Sequence, residues 1–155
     1  MTPSNYQRDT KILDIYSKTG LYPLNIAISL YYQRVAENDG KHFEADQVYQ
    51  EILANNIYAI AKTPMAKTIT ERTLTGYRKY KTNVTYIESL TDTLKTDGEQ
   101  GKKLVEEAFN KVKFDVVIGN PPYQEEAKGT STSDDPIYNS FMELSYQLAD
   151  KAVLI

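Results

Sequence analysis

The sequence predicts an α/β domain whose mainly parallel sheet is flanked by helices. Two patterns carry that expectation. Short apolar, β-branched runs alternate with longer segments whose apolar residues recur every three or four positions, the signature of strand–helix units joined by right-handed crossovers. The run Phe114-Asp115-Val116-Val117-Ile118 is almost continuously apolar, as in a strand covered on both faces, and it stops at Gly119-Asn120-Pro121-Pro122-Tyr123. With 155 residues, 41% hydrophobic and 25% charged, the chain has the size of one hydrophobic core and the balance of a soluble globular protein, so residues 1–155 are expected to form a single domain.

The elements follow in order. Lys11-Ile12-Leu13-Asp14-Ile15 is a short apolar run closing on an acid, expected as the first strand, and Ser17-Lys18-Thr19-Gly20 is turn-prone. Leu21, Leu24, Ile28, Tyr31 and Val35 then repeat at helical spacing, with Ile26, Ala27 and Leu30 widening the apolar surface, and Pro23 fits within the first turn, where a missing N–H costs nothing. A second amphipathic helix over residues 43–53, using Phe43, Val48, Tyr49 and Ile52, reads as an insertion. Asn55-Asn56 breaks it, Ile57-Tyr58-Ala59-Ile60-Ala61 is the second strand, and Thr63-Pro64 opens a helix through Met65, Ile69 and Leu74. Residues 83–87 form the expected third strand, ending at Glu88; residues 98–103 are a polar, glycine-containing link to a short helix over 104–112. After the fourth strand, residues 129–135 have loop composition, Pro136 starts a helix carrying Ile137, Phe141, Leu144 and Leu148, and Ala152-Val153-Leu154-Ile155 begins a fifth strand. A sequence stopping there is expected to be part of a longer domain.

Composition removes several chemistries. Without cysteine there is no disulfide, Cys-based zinc site or thiol nucleophile, which suits a reducing cytoplasm. The single histidine, His42, lies in the polar stretch Asn38-Asp39-Gly40-Lys41-His42 and reads as a surface residue, so no metal site is expected. No stretch reaches the ~20 apolar residues that cross a bilayer, and Met1-Thr2-Pro3-Ser4-Asn5 lacks the layout of a signal peptide. A net charge of −3 argues against a free-standing nucleic-acid binder, so any grip on DNA is expected mainly from regions outside this sequence. The basic cluster Arg78-Lys79-Tyr80-Lys81 reads as a solvated face, with phosphate contact as its alternative.

In open parallel sheets ligands bind beyond the carboxyl ends of the strands, where the strand order reverses. Three strand ends are candidates to meet there: residues 14–20, Glu88, and Asn120 to Tyr123. The last is the most specific. Asn120 offers an amide carbonyl, and Pro121 and Pro122 fix φ near −65° while contributing carbonyls without competing N–H donors. A stiff loop of acceptors can take both N–H bonds of an exocyclic amine, so that the nitrogen lone pair localises toward an electrophile. No histidine or cysteine is needed, because holding the reacting atoms ~3–3.5 Å apart supplies much of the rate. Tyr123 offers a face on which a base could stack, an interaction of about 1–3 kcal/mol. The alternative is purely structural: Asn-Pro-Pro also stops a strand, and a following tyrosine can cap the core.

Val116-Val117-Ile118-Gly119-Asn120-Pro121-Pro122-Tyr123 resembles the catalytic motif of amino-group methyltransferases, especially the adenine-specific DNA methyltransferases of bacterial restriction-modification systems. Ile12-Leu13-Asp14-Ile15-Tyr16-Ser17-Lys18-Thr19-Gly20 is similar to that family's cofactor loop, with Asp14 and Gly20 at its acidic and glycine positions. The resemblance covers residues 11–155 and corresponds to the N-terminal and central part of the catalytic domain. It implies a Rossmann-like S-adenosylmethionine-dependent fold and transfer of a methyl group to adenine in DNA. Asn120, Pro121, Pro122 and Tyr123 then hold the target. Asp14, Tyr16, Ser17, Lys18, Thr19 and Gly20 form the cofactor-binding loop, in which Asp14 and Gly20 face the methionine part, and Glu88 approaches the adenine amine.

Two positions depart from the family pattern. Lys18 stands where glycine is usual, and Ala61 stands where an acid commonly holds the ribose hydroxyls, leaving either Thr63 or a neighbour to substitute, or a weak affinity. Such loose motifs make the combined restriction-and-modification enzymes the nearest subgroup by analogy. Methyl transfer itself calls for no metal, and the 155 residues alone are expected to be inactive on DNA. The loop over residues 124–135 is a candidate for ordering on substrate, or a simple linker. Three other functions stay open: methylation of a glutamine amide in protein, methylation of a base amine in RNA, and a non-catalytic interaction module with a decayed cofactor site.

Overall fold

The computed structural model describes residues 9–39, 41, 43–123 and 137–155. Among these, β1 (Ile12–Ser17), β2 (Ile57–Ala61), β3 (Asn83–Thr85), β4 (Val116–Gly119) and β5 (Lys151–Leu154) form one sheet in the order β3-β2-β1-β4-β5. Every neighbouring pair is parallel. The chain steps from β1 outward to β2 and β3, then returns to β4 and β5 on the other side. The order therefore reverses between β1 and β4, and in open parallel sheets ligands bind beyond the carboxyl ends of the strands at such a point.

Helices cover both faces, as the near-continuous apolar strands require. On one face Leu13, Ile15, Tyr58, Ile60 and Val117 pack against α4 (Leu90–Thr96), α5 (Gly98–Ala108) and α6 (Tyr138–Leu148). On the other, Ile12, Ala59, Val116 and Ile118 meet α1 (Leu21–Glu37), α2 (Ala45–Asn55) and α3 (Pro64–Thr75). Leu13, Ile15 and Val117 are completely buried; each such aliphatic side chain stabilises the fold by about 1.5–3 kcal/mol relative to exposure.

The inserted helix α2 is tied down by polar groups. Its carboxyl end leaves carbonyls without intrahelical partners, and the Asn83 amide donates to those of Leu53 and Ala54 and to that of Ile57. Tyr49 Oη donates to the Leu74 carbonyl at 2.6 Å, joining α2 to α3. Asn56, which breaks the helical pattern, is buried: its Nδ2 donates to the Thr10 carbonyl and its Oδ1 accepts from Arg34, both at 2.8 Å.

Three expectations need correction. β1 continues past Asp14 to Ser17, so the acid lies within the strand. β3 ends at Thr85, leaving Glu88 in a turn three residues beyond it. Residues 98–103 are helical: Asp97 caps α5 by accepting from the Gln100 N–H at 3.0 Å, and α5 ends at Ala108, ahead of Asn110 and Lys111 with positive φ. Gly101 belongs to this helix because α4 crosses it closely; a Cβ there would lie 2.5 Å from Leu94 Cδ2. A glycine that lets two helices touch resembles a linker glycine in sequence, and α4 itself is too short to show a period. His42, Pro136 and the loop over 124–135 lie outside the described residues.

Gly20 caps α1 at φ +82°, and a Cβ there would sit 3.0 Å from the Thr70 Cα and 3.2 Å from its carbonyl oxygen. Backbone strain and collision with the α3 backbone act together. Gly20→Ala is therefore expected to cost about 2–3 kcal/mol in urea unfolding. A change below about 0.5 kcal/mol would show that α3 is not held against this loop.

Candidate active site at the carboxyl ends of β1 and β4

The site starts from an irregularity in β1. Asp14 pairs with Ala59 and Ser17 with Ala61, so β1 spends one residue more than β2 over this interval, and the register shifts. Ile15 and Tyr16, though consecutive, both pack on the α4–α6 side. The Tyr16 N–H turns to Asp14 Oδ1 at 3.1 Å. A bulge thus needs a local acceptor, and the Asp14 carboxyl is one.

Asp14 is only 1% exposed. Burial raises its pKa from the usual 3.8 to about 6, although hydrogen bonds from the Tyr16 N–H and the Ser17 side chain pull it down. Ser17 Oγ also lies 3.0 Å from Thr70 Oγ1. With the serine proton directed to Asp14, Thr70 is the donor to Ser17, and the chain Thr70–Ser17–Asp14 links α3 to the bulge.

Beyond Ser17 the loop is Lys18-Thr19-Gly20. Gly20 is buried, whereas Lys18 and Thr19 are exposed. Lys18 is not among the residues with positive φ, so its backbone does not demand the glycine usual in the resembled family. Its ammonium stands 5.8 Å from the centre of the Tyr16 ring. That ring in turn meets Phe141 of α6 edge-on, with centroids 5.4 Å apart at 74°.

β4 runs beside β1, pairing Ile12, Leu13 and Asp14 with Val116, Val117 and Ile118. Its last residue, Gly119, abuts the carboxyl: a Cβ there would lie 3.1 Å from Ile15 Cγ2 and 3.4 Å from Asp14 Oδ1. Asn120 follows directly and is half-buried, Pro121 is buried, Pro122 is half-buried and Tyr123 is 66% exposed. The Tyr123 ring stacks on Tyr138, the first residue of α6, and its carbonyl accepts from the Ile137 N–H at 3.3 Å.

The fold therefore brings the β1 bulge at Asp14 and Ile15 against Gly119, the residue that precedes the Asn-Pro-Pro-Tyr strap. It places Thr63 and Glu88 on the same sheet edge, after β2 and β3, with Glu88 exposed. Thr63 is already engaged, since its Oγ1 accepts from the Ala66 N–H at 3.0 Å as the N-cap of α3, leaving the hydroxyl hydrogen to donate elsewhere. Ala61 is buried at the end of β2 and offers no polar group.

Sequence reading missed two features. Tyr138 beside the strap carried no signal, because its proximity to Tyr123 is a tertiary fact. A cavity of about 460 Å³, lined by Ile28, Tyr31, Tyr32, Asp46, Tyr49 and Arg78, lies between α1, α2 and the α3–β3 connection. There Arg78 stands 5.9 Å from the centre of the Tyr80 ring and Tyr80 Oη donates to Asp46 Oδ1, so part of the basic cluster is engaged locally. Among the described residues no group of three or more His, Asp or Glu side chains could hold a metal, and no helix is long and apolar enough to cross a membrane.

Residues 55–155 match the family model of the Eco57I restriction-modification methylases, a span that includes β2 to β5 and the Asn-Pro-Pro-Tyr strap. Among solved structures, the ATP-dependent Type ISP restriction-modification enzyme LlaBIII bound to DNA matches with a TM-score of 0.59 at 16% identity, over 92% of this chain and 12% of that one. A nuclease-deletion mutant of the Type ISP restriction-modification enzyme LlaGI, in complex with a DNA substrate mimic, matches with a TM-score of 0.55 at 15% identity, over 87% of this chain and 12% of the other. At such identities the likeness is one of fold. This chain thus corresponds to 12% of the length of either enzyme. No curated protein matches it in sequence.

Burial of Asp14 makes stability depend on pH. Between about pH 4 and about pH 6 the folded chain holds a proton that the unfolded chain has lost, so stability falls as pH rises through that window. Above it the cost of the ionised group, about 2–3 kcal/mol, is fully present. Asp14→Asn keeps an acceptor for the Tyr16 N–H. It is expected to stabilise the protein by about 1–3 kcal/mol at pH 7 and to flatten the slope in urea titrations between pH 4 and 6. An unchanged slope in the variant would assign the pH dependence to another group.

Proposed function

This chain belongs to the Eco57I restriction-modification methylase family, and on that premise we propose that it transfers a methyl group from S-adenosylmethionine to the exocyclic amine of adenine in DNA. The observation that supports this reading best is the contact between the two strand ends: the strap from Asn120 to Tyr123 starts one residue after Gly119, whose Cβ position is 3.4 Å from the buried Asp14 carboxyl. Acceptors for an amine and a carboxyl for a cationic ligand then share one crevice. We read the 155 residues as part of a single catalytic domain, inactive on DNA by themselves, of a cytoplasmic protein that acts on DNA. With a net charge of −3, its grip on DNA comes mainly from other parts of the protein.

The side chains at this edge fit an amino-acid-bearing cofactor. When bound, S-adenosylmethionine supplies a methyl group activated by its sulfonium for attack by a nitrogen lone pair. Asp14, held by the Tyr16 N–H and Ser17, gains a cationic partner that favours its ionised form. The exposed Lys18 ammonium above Tyr16 suits a carboxylate, and Thr19 and Gly20 complete the loop. Thr63 and Glu88 take the ribose and adenine ends, with the Thr63 hydroxyl donating where the family usually has an accepting acid.

Asn120 Oδ1 and the Pro121 carbonyl accept the two N–H bonds of the target amine and orient its lone pair. Pro121 and Pro122 keep those acceptors rigid, so little reorganisation accompanies approach of the reacting atoms. Tyr123, largely exposed at the mouth, is a platform for a base drawn out of the duplex.

The decisive measurement supplies methyl-labelled S-adenosylmethionine to the intact protein with DNA, RNA and a protein extract in parallel. Label is expected on adenine in DNA. Asn120→Ala should reduce transfer about 100-fold or more while changing cofactor affinity less than about threefold. Label on a glutamine amide or on RNA would reassign the substrate, and no binding of S-adenosylmethionine at all would leave an interaction module.

Cofactor affinity should also report on Asp14. Because binding favours the ionised carboxyl, calorimetry is expected to show affinity dropping by up to about tenfold per unit as pH falls below about 6. The same titration of Asp14→Asn should be weak and flat. Constant wild-type affinity from pH 7 to pH 5 would remove Asp14 from the binding site.

A further inference from the structure

Tyr123 and Tyr138 lie with ring centroids 4.9 Å apart and planes within 13° of parallel. The other aromatic pairs recorded among the described residues meet at 68–85°, edge to face. This parallel pair is not a core contact, since Tyr123 remains 66% exposed despite it. The arrangement is set by the chain around it: Ile137, completely buried, donates its N–H to the Tyr123 carbonyl, and Tyr138 follows as the first residue of α6. A flat ring lying parallel on an exposed tyrosine at the mouth of the crevice is what a nucleobase would be there.

We propose that Tyr138 is a stand-in for the target base, covering the Tyr123 face that an extruded adenine uses and leaving when the base arrives. This rests on the reading of Tyr123 as the base platform. A third ring does not fit between the two, because the centroids would have to separate to roughly twice their present distance. A base on this face must therefore displace Tyr138. The displacement is local: the side chain is half-buried, sits on the first turn of its helix, and changes rotamer without unwinding α6. The covered platform then acts as a threshold. Apparent affinity for a base is reduced by the fraction of molecules in which Tyr138 is in place, so a base is retained only when its stacking and its contacts with the strap outweigh the resident ring.

The test uses the intact protein and the quenching of 2-aminopurine riboside fluorescence by stacking, with the KM for unmethylated DNA measured alongside. Tyr138→Ala is expected to tighten riboside binding about 3- to 10-fold and to lower KM by a similar factor. Tyr138→Phe, which keeps the ring, should behave as wild type. Quenching that is lost in Tyr123→Ala but unchanged in Tyr138→Ala would overturn the stand-in while leaving the platform intact. Weaker binding in Tyr138→Ala would also overturn it, making Tyr138 a second slab around the base. Quenching absent from every form, or surviving in Tyr123→Ala, would overturn the platform reading and the stand-in with it.

Discussion

The parallel pairing of β1 with β4 is the contact on which the rest of the molecule depends. It joins Asp14 to Ile118, residues about a hundred positions apart, and every other strand is added outside this pair. The reversal of strand order occurs here, so the loop after β1 and the strap after β4 leave the sheet side by side. Apolar residues on both sides of these strands make the pairing strong and specific in register: a slip of one residue would exchange Leu13 and Val117 with Ile12 and Val116, and place each set against the wrong helices.

On this frame the bulge in β1 sets the surroundings of Asp14. An extra residue between Asp14 and Ser17 leaves a backbone N–H for the Asp14 carboxyl and sends Ile15 and Tyr16 to one side. The carboxyl is held in place by the irregularity that it stabilises. Burial disfavours its ionised form, and the hydrogen bonds from the Tyr16 N–H and the Ser17 side chain offset that only in part. The close approach of α3 at Gly20 and the Thr70–Ser17 hydrogen bond keep the loop and the bulge from relaxing.

The opposite edge of the sheet carries no comparable irregularity among the described residues. There the inserted α2 is fastened by Asn83, Tyr49 and Asn56, each placing a polar group where a helix end or a strand entry leaves a backbone partner unmatched. Rings of Tyr31, Tyr49 and Tyr80 meet edge to face across α1, α2 and the α3–β3 connection. One edge is thus fastened by polar side chains, and the other carries a buried acid, an exposed lysine and an exposed tyrosine at neighbouring strand ends.

The α/β class, the parallel sheet, the Thr63 cap and the order of the main elements follow from local chemistry that a sequence displays: alternation of apolar runs, a proline after a capping threonine, two prolines ending an apolar strand. The type of chemistry suggested by Asn120-Pro121-Pro122-Tyr123 is legible for the same reason, because acceptors and an aromatic face are properties of adjacent residues. What the sequence could not display were contacts between distant segments. The place of Gly101 inside a helix depends on Leu94 lying against it; the burial and raised pKa of Asp14 depend on β2, β4 and α3 surrounding it; and the stack of Tyr138 on Tyr123 depends on where α6 begins. Each arises from packing between elements, which local propensity does not encode, so only the tertiary structure decided where the acid, the strap and the two tyrosines stand.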